Sequence, residues 1–225
     1  TSFWMSAHIL RALKMAQDAG YPVELNLNGL KVEYAHTRPY RGMKLEDIEI
    51  LHALHEWKVE ADYSSAVRLL EPFVRQLEQK EDSLANRNKY YRPLSYLKEK
   101  LLLWEIKQQV DSVNVGDSVR PYLKKDMLEG VYCDDGRRTY YWEGNQMINT
   151  LIAYRIIKND PSLCKLKENM QLYILRTKER GWNTYQASSA VATVLTDLLA
   201  GSGGMSGTSV SVSGKDHQRI TEFPY

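Results

Sequence analysis

The chain has 225 residues, long enough to bury a substantial core. Its 43% hydrophobic and 26% charged residues are those of an ordinary folded protein, which excludes a disordered or low-complexity chain. A formal net charge of +2 predicts no bias toward nucleic acid or membrane surfaces.

Aromatic usage is uneven, with 15 Tyr and 5 Trp against 3 Phe. Tyr and Trp carry an apolar body and a polar tip, which suits helix interfaces bordering a groove or a partner. No signal peptide, transmembrane run or lipid motif is evident. The opening "TSFWMSAHIL" is already in helical register, so the chain is read as a piece of a longer protein. The only cysteines are Cys133 and Cys164. Two are too few for a disulfide framework, and free thiols are favoured over a single bridge.

Apolar residues Trp4, Ala7, Ile9, Leu10, Leu13 and Ala16 predict a helix over 3–19, ended by Gly20 and Pro22. A second helix spans 44–58, with Ile48, Leu51, Leu54, His55 and Trp57 on or near its inner face. Asp62 caps a third, whose stripe is Val67, Leu70, Phe73, Val74 and Leu77; Pro72 within it predicts a kink. Pro93 opens a fourth, carrying Leu97, Leu101, Trp104 and Ile106. A fifth is predicted over 115–128, packing Val119, Leu123 and Met127. The Asp-Gly in "EGVYCDDGRRTYYWEGN" then predicts the turn of a short hairpin or a long ordered loop.

A sixth helix is expected over 145–158, and a seventh opens at Pro161 behind a cap at Asp160. An eighth covers 184–200. Residues 201–207 have linker composition, and "TSVSVSG" and "QRITEFPY" read as strands around a Gly-Lys-Asp-His turn. The expected division is a helical region over 1–203, then a linker and β segment of an adjoining domain over 204–225. No strand–helix alternation appears, so a parallel sheet is not expected. The fold class read from this pattern is all-α, as a fragment of an α/α toroid with a short C-terminal β segment. In a toroid the inner helices touch neighbours on most sides, which accounts for Ala187, Ser188, Ser189, Ala190, Ala192 and Thr193 in the last helix. Trp182 is expected to be buried at the barrel end, with Thr184 starting the helix after it.

"GWNTYQASSAVATVL" resembles the Trp-x-Thr-x-x-Ala-x-x-Ala-x-x-Leu signature of the thioester-containing domain in alpha-2-macroglobulin and complement proteins. The preceding "YYWEGNQMINTLIAYRII" and "ENMQLYILRTKERGW" resemble the two helices before that signature in bacterial, especially Bacteroidetes-type, members. "SFWMSAHILRALKMAQDAGYPV" is similar to an earlier helix of the same domain, with Ser6-Ala7-His8 where Thr-Ala-Tyr is usual. The signature residues are Trp4, Trp142, Trp182, Thr184, Ala187 and Ala190. The resemblance implies a secreted or periplasmic protease trap, membrane-anchored through its parent in some versions. A Cys–Gln thioester, exposed after bait cleavage, would catch the protease covalently. This chain has no Cys-x-Glu-Gln: Cys133 is followed by Asp-Asp-Gly and Cys164 by Lys-Leu-Lys. In the family that motif lies upstream of the region matched here, and some bacterial members lack it. A non-catalytic shielding and docking role is therefore expected, with no cofactor, no metal and no nucleic acid. The partners would be the parent's other domains and, through them, target proteases. None of His36, His52 or His55 can be placed as the residue with which some complement relatives intercept the acyl group.

Three other clusters carry weaker signals. His52, His55 and Glu56 in "LHALHEW" lack the i, i+4 spacing of a zincin helix, so hydrogen-bonded or solvated helix residues are favoured over metal ligands. Asp134 and Asp135 are adjacent, whereas glycosidases use carboxylates about 5–10 Å apart. A structural turn is favoured there, with a toroidal carbohydrate-active enzyme as the rival function. "NRNKYYRPLSYLKEK" mixes bases with aromatics as single-strand binders do, but a helix entry with a solvated face is the favoured reading. A plain helical scaffold without a ligand is the third alternative.

Overall fold

The computed structural model describes residues 3–18, 20–27, 42–139, 146–178, 181, 184–201, 211–212 and 215–216. The fold is mostly helical, with two small two-stranded pairings among the described residues. Helix α1 (Phe3–Asp18) buries Ala7, Leu10 and Arg11. It ends at Gly20, whose φ of +91° is open to glycine, and whose N–H returns to the Gln17 carbonyl.

Helix α2 (Leu45–Glu56) is buried continuously from Asp47 to Leu54. Continuous burial over two turns requires neighbours on every side. Helix α3 (Tyr63–Arg87) is capped by Asp62, which accepts from the Ser65 N–H at 3.0 Å. One stripe of α3, including Val67, Leu70 and Val74, is buried and the rest is largely exposed. Pro72 sits in this helix without interrupting it, on the exposed side.

Helix α4 (Leu97–Asp111) starts four residues later than Pro93 suggested. The intervening backbone is committed elsewhere: Arg138 N–H donates to the Pro93 carbonyl and Ser95 N–H to the Arg138 carbonyl. The expected fifth helix over 115–128 is corrected to something much shorter. Only α5 (Gly116–Val119) forms, followed by a 3-10 turn (Arg120–Tyr122) and strand β1 (Leu123–Lys125). Pro121 brings no N–H to continue the helix. The Asp126 carboxylate then accepts from the N–H groups of Leu128 at 2.9 Å and Gly130 at 2.7 Å, closing a turn. Strand β2 (Val131–Cys133) pairs antiparallel with β1, Lys124 opposite Tyr132. The hairpin therefore turns at 126–130, not at the Asp-Gly, and Met127 is fully exposed rather than packed.

Helix α6 (Gln146–Ile157) is buried nearly throughout. A 3-10 turn (Pro161–Leu163), capped by Asp160 through the Ser162 N–H, leads into α7 (Cys164–Thr177). The last helix is not uniform. It runs as α8 (Thr184–Ala190), a π-helical segment (Val191–Leu195) and α9 (Thr196–Gly201). Strands β3 (Ser211–Val212) and β4 (Lys215–Asp216) pair with each other, so Lys215 and Asp216 of the predicted Gly-Lys-Asp-His turn belong to a strand.

Packing follows a simple order. Helix α1 lies on α2, α2 on α4, α4 on α6, and α6 on α8 and the π segment. Helix α3 covers α2 and α4, and α7 covers α6. The main core joins Leu51, Leu70, Leu101, Ile106, Leu151, Ile174 and Val194. A smaller core beneath α1 joins Ala7, Leu10, Ile50, Ala53 and Leu54. No described helix is long and apolar enough to cross a membrane.

Candidate functional site

Charged side chains penetrate the row α1–α2–α4–α6 and meet in its interior. Glu49, His52 and Glu56 stand at i, i+3 and i+7 on α2, one face of a helix. Lys98 and Glu105, seven apart, share a face of α4. Arg11 enters from α1 and Arg155 from α6. The groups alternate in sign. Lys98 Nζ is 2.6 Å from Glu49 Oε1, and Arg11 Nη1 is 2.5 Å from Glu49 Oε2. Arg11 Nε lies 3.8 Å from Glu56 Oε2, which lies 3.5 Å from His52 Nδ1. On its other side His52 Nε2 is 2.9 Å from Glu105 Oε2, and Arg155 forks onto both Glu105 oxygens at 2.7 Å. Seven side chains thus form one ionic ladder across four helices.

The charges set one another's protonation. Burial raises the Glu49 pKa, but Arg11 and Lys98 outweigh it and hold the carboxyl far below its usual range. Burial is likewise overcome at Glu105 by Arg155 and His52. At Glu56 it is overcome mainly by His52, which brings the pKa to about 2. Burial pushes the His52 imidazole down, yet Glu56 and Glu105 raise it above its ordinary value. His52 is therefore the cation that keeps two carboxylates apart. Glu99, beside Lys98, is different: burial raises it to about 7.

A cavity of about 160 Å³ opens against this ladder. Its wall carries four cations (Arg11, Lys14, Lys98 and Arg155) against two carboxylates, Asp18 and Glu56. Three of these cations are already paired, Arg11 and Lys98 with Glu49 and Arg155 with Glu105. Leu102, Leu151 and Ile152 form an apolar side, and Ser189, Ala192 and Thr193 reach it from the last helix. Two of these, Ala192 and Thr193, belong to the π segment, where one extra residue per turn shifts the helix face. The Thr196 hydroxyl satisfies the Val191 carbonyl at 3.1 Å, and Asp197 accepts from Tyr154 and Lys158 at 3.1 and 3.2 Å.

Of the residues singled out by sequence, His52 and Glu56 join the ladder, and Ser189, Ala192 and Thr193 line the cavity. Trp142 and Trp182 lie outside the described residues, as does His36. Trp4 is on α1 and Thr184 begins α8, where the helix was expected to start; neither side chain is among those described. Ala187 is half-buried and Ala190 fully buried. His52 is a hydrogen-bonded helix residue, as its spacing from His55 suggested, while His55 packs edge-on to Tyr63 at 4.9 Å. Among the described residues no His, Cys, Asp and Glu side chains form a metal-binding group.

Asp134 and Asp135 form the turn expected of them, accepting from the N–H groups of Gly136 and Arg137. Asp134 also pairs with Lys124 at 3.0 Å, and Asp135 accepts from the Ser95 hydroxyl. The basic–aromatic stretch disperses. Tyr90 is exposed, Tyr91 bonds Glu81, Tyr96 is buried, Lys98 joins the ladder and Lys100 pairs with Glu78. Both cysteines are free: Cys133 is buried, Cys164 exposed.

The ladder was missed because its members read as solvated helix charges. The signal was present in their phase: Glu49, His52, Glu105 and Arg155 each interrupt an apolar face that is otherwise buried. No protein-family model, curated protein or solved structure matches the chain.

Proposed function

We propose that the chain is part of an α/α-toroid domain of the thioester-domain type. In this reading it belongs to a secreted or periplasmic alpha-2-macroglobulin-like protease trap and works by shielding and docking, not catalysis. The order of helix packing carries the reading. Helices α2, α4 and α6 form a row buried on nearly all sides, while α3 and α7 lie outside it with one apolar stripe each. That alternation of inner and outer helices is what an α/α toroid requires. It joins the Trp-x-Thr helix signature at Trp182, Thr184, Ala187 and Ala190 and the residues 1–203 that the resemblance spans. Residues 204–225 would begin the adjoining domain.

The carboxylates on the inner face also favour this reading over a glycosidase. Glu49, Glu56 and Glu105 are ion-paired and held acidic, and Glu99, raised to about 7, is buried and does not line the cavity, whereas a glycosidase needs a carboxyl with a raised pKa poised in its groove as acid. The ladder fits a structural task, fixing the register of four helices whose contacts are otherwise non-directional.

The test uses the complete gene product. It is incubated with a broad-specificity protease and followed by native electrophoresis and by cleavage of a large protein substrate. Co-migration of the protease with loss of large-substrate cleavage is expected. Cleavage of the gene product with the protease left free and active would overturn the reading.

A further inference from the structure

We infer that the groove between α3 and α4 is a binding site for a neutral pyranose sugar, as a disaccharide or the end of a longer glycan. The inference rests on this groove alone and not on the protease-trap reading.

Two helical spacings coincide here. Glu71, Arg75 and Glu78 stand at i, i+4 and i+7 on α3, and Lys100, Trp104 and Lys107 do the same on α4, so each set shares one face. The end residues pair across the groove in opposite order. Lys107 Nζ is 3.0 Å from Glu71 Oε1, and Lys100 Nζ is 3.1 Å from Glu78 Oε1. Arg75 and Trp104 form the middle rung. Among the described residues neither the Arg75 guanidinium nor the Trp104 indole N–H has a hydrogen-bond partner. The groove holds about 310 Å³, at the lower end of small-ligand clefts. Its floor is apolar: Val74 and Leu103 are buried, and half-buried Trp104 lines it with them.

Charge does not select the occupant. The two end rungs cancel their own charges, and Arg75 is exposed, within one turn of Glu71 and Glu78, and screened by water. Hydrogen-bonding capacity remains. Lys107 meets both Glu71 oxygens with one ammonium that carries three donors, and the carboxylates keep unused lone pairs. Arg75 adds its fork and Trp104 its N–H. Donors and acceptors therefore ring an apolar floor.

Hydroxyl groups suit such a rim, because each one both donates and accepts. A sugar with equatorial hydroxyls points them at the rim. Its axial C–H groups, apolar and slightly positive, turn onto the negative face of an aromatic ring. A purely apolar ligand would strip water from the rim and return no hydrogen bonds. The end rungs stand seven residues apart on each helix, about 10 Å, which is the length of a disaccharide.

The experiment is a nuclear magnetic resonance titration of the intact, nitrogen-15-labelled chain, read at the Trp104 indole N–H. Trp104→Phe identifies that resonance by its loss. The probes are cellobiose, glucose, glucuronate and glycerol. Cellobiose should shift the resonance saturably, with a dissociation constant of about millimolar order. Glycerol, which has hydroxyls but no ring face, should not shift it, and glucuronate should bind no tighter than glucose. Arg75→Ala, at an exposed position, should weaken cellobiose binding at least about tenfold, the loss of one hydrogen bond from a charged group, with the melting transition unchanged. If that variant unfolds, Arg75→Met serves the same purpose. No saturable shift with cellobiose, the same shift with glycerol, tighter binding of glucuronate than glucose, or unchanged affinity in a folded Arg75 variant would overturn the inference.

Discussion

His52 of α2 and Glu105 of α4 meet at 2.9 Å with both side chains almost wholly buried. The same carboxylate takes the Arg155 fork from α6, so one glutamate ties three helices together. Burying such charges costs desolvation energy, and that cost is offset only while every partner is in place.

Glu105→Gln tests this directly. The side chain keeps its size but loses its charge, leaving His52 and Arg155 without the anion between them. Loss of one member of a buried ionic group costs about 3–5 kcal/mol. Urea unfolding should show a loss of that order with the slope unchanged. A change below about 1 kcal/mol, the range of exposed pairs, would place the ladder among ordinary surface charges.

Stability should depend on pH in two opposed ways. Glu49, Glu56 and Glu105 have folded pKa values below the ordinary 4.5, with Glu56 at about 2. Their contribution is full above 4.5 and is lost as pH falls toward 2. Glu99 works in reverse. Burial raises it from 4.5 to about 7 against the pull of Lys98, with Glu49 and Asp135 adding to the rise. Between those values the unfolded chain binds fewer protons than the folded one, so stability falls as pH rises. His52 extends the fall above its ordinary 6.5, because its folded pKa is raised. Melting temperature should therefore climb from pH 2 to about 4.5 and decline through neutrality. Glu99→Gln should flatten the decline between 4.5 and 7 while leaving the acid limb intact. An unchanged slope in that variant would remove Glu99 from the account.

Deleting residues 208–225 should leave helicity and melting nearly unchanged. Strands β3 and β4 pair with each other, and among the described residues the buried core ends at Val194. Far-UV circular dichroism of the shortened chain checks this. A collapse of the helical signal would make the hairpin integral to the helical domain.

The helices were legible where apolar periodicity and a cap agreed, as at Asp62 ahead of α3 and Asp160 ahead of the 3-10 turn. They were misread where local hydrogen bonding competes with periodicity. What looked like a fifth helix stops at Val119 ahead of Pro121, and Asp126 then captures two backbone N–H groups to close the hairpin turn, which the spacing of Val119, Leu123 and Met127 does not announce. The π segment was invisible for a related reason, since one extra residue per turn leaves composition unchanged. The site was the least legible part. Glu49, Lys98 and Glu105 become a site only when α1, α2, α4 and α6 converge, and their partners lie as far as 53 residues away in sequence.

The last prediction concerns the thiols. An acyl trap needs a cysteine joined to a glutamine, and neither cysteine here has the Glu-Gln partner. Cys164 is exposed at the start of α7, whereas Cys133 is buried in β2, its N–H bound to the Thr150 hydroxyl at 2.9 Å. Burial, helped by Asp134 and Asp135, pushes the Cys133 thiol up to about 12, so it is neither reachable nor ionised at neutral pH. A disulfide reagent should therefore titrate one thiol in the native protein and a second only after denaturation. Methylamine, which opens an internal thioester and frees its thiol, should change neither the native titre nor the mass. A methylamine-dependent gain of thiol with added mass at a glutamine would mean that an acyl bond exists in this chain, and the non-catalytic role proposed for it would fail.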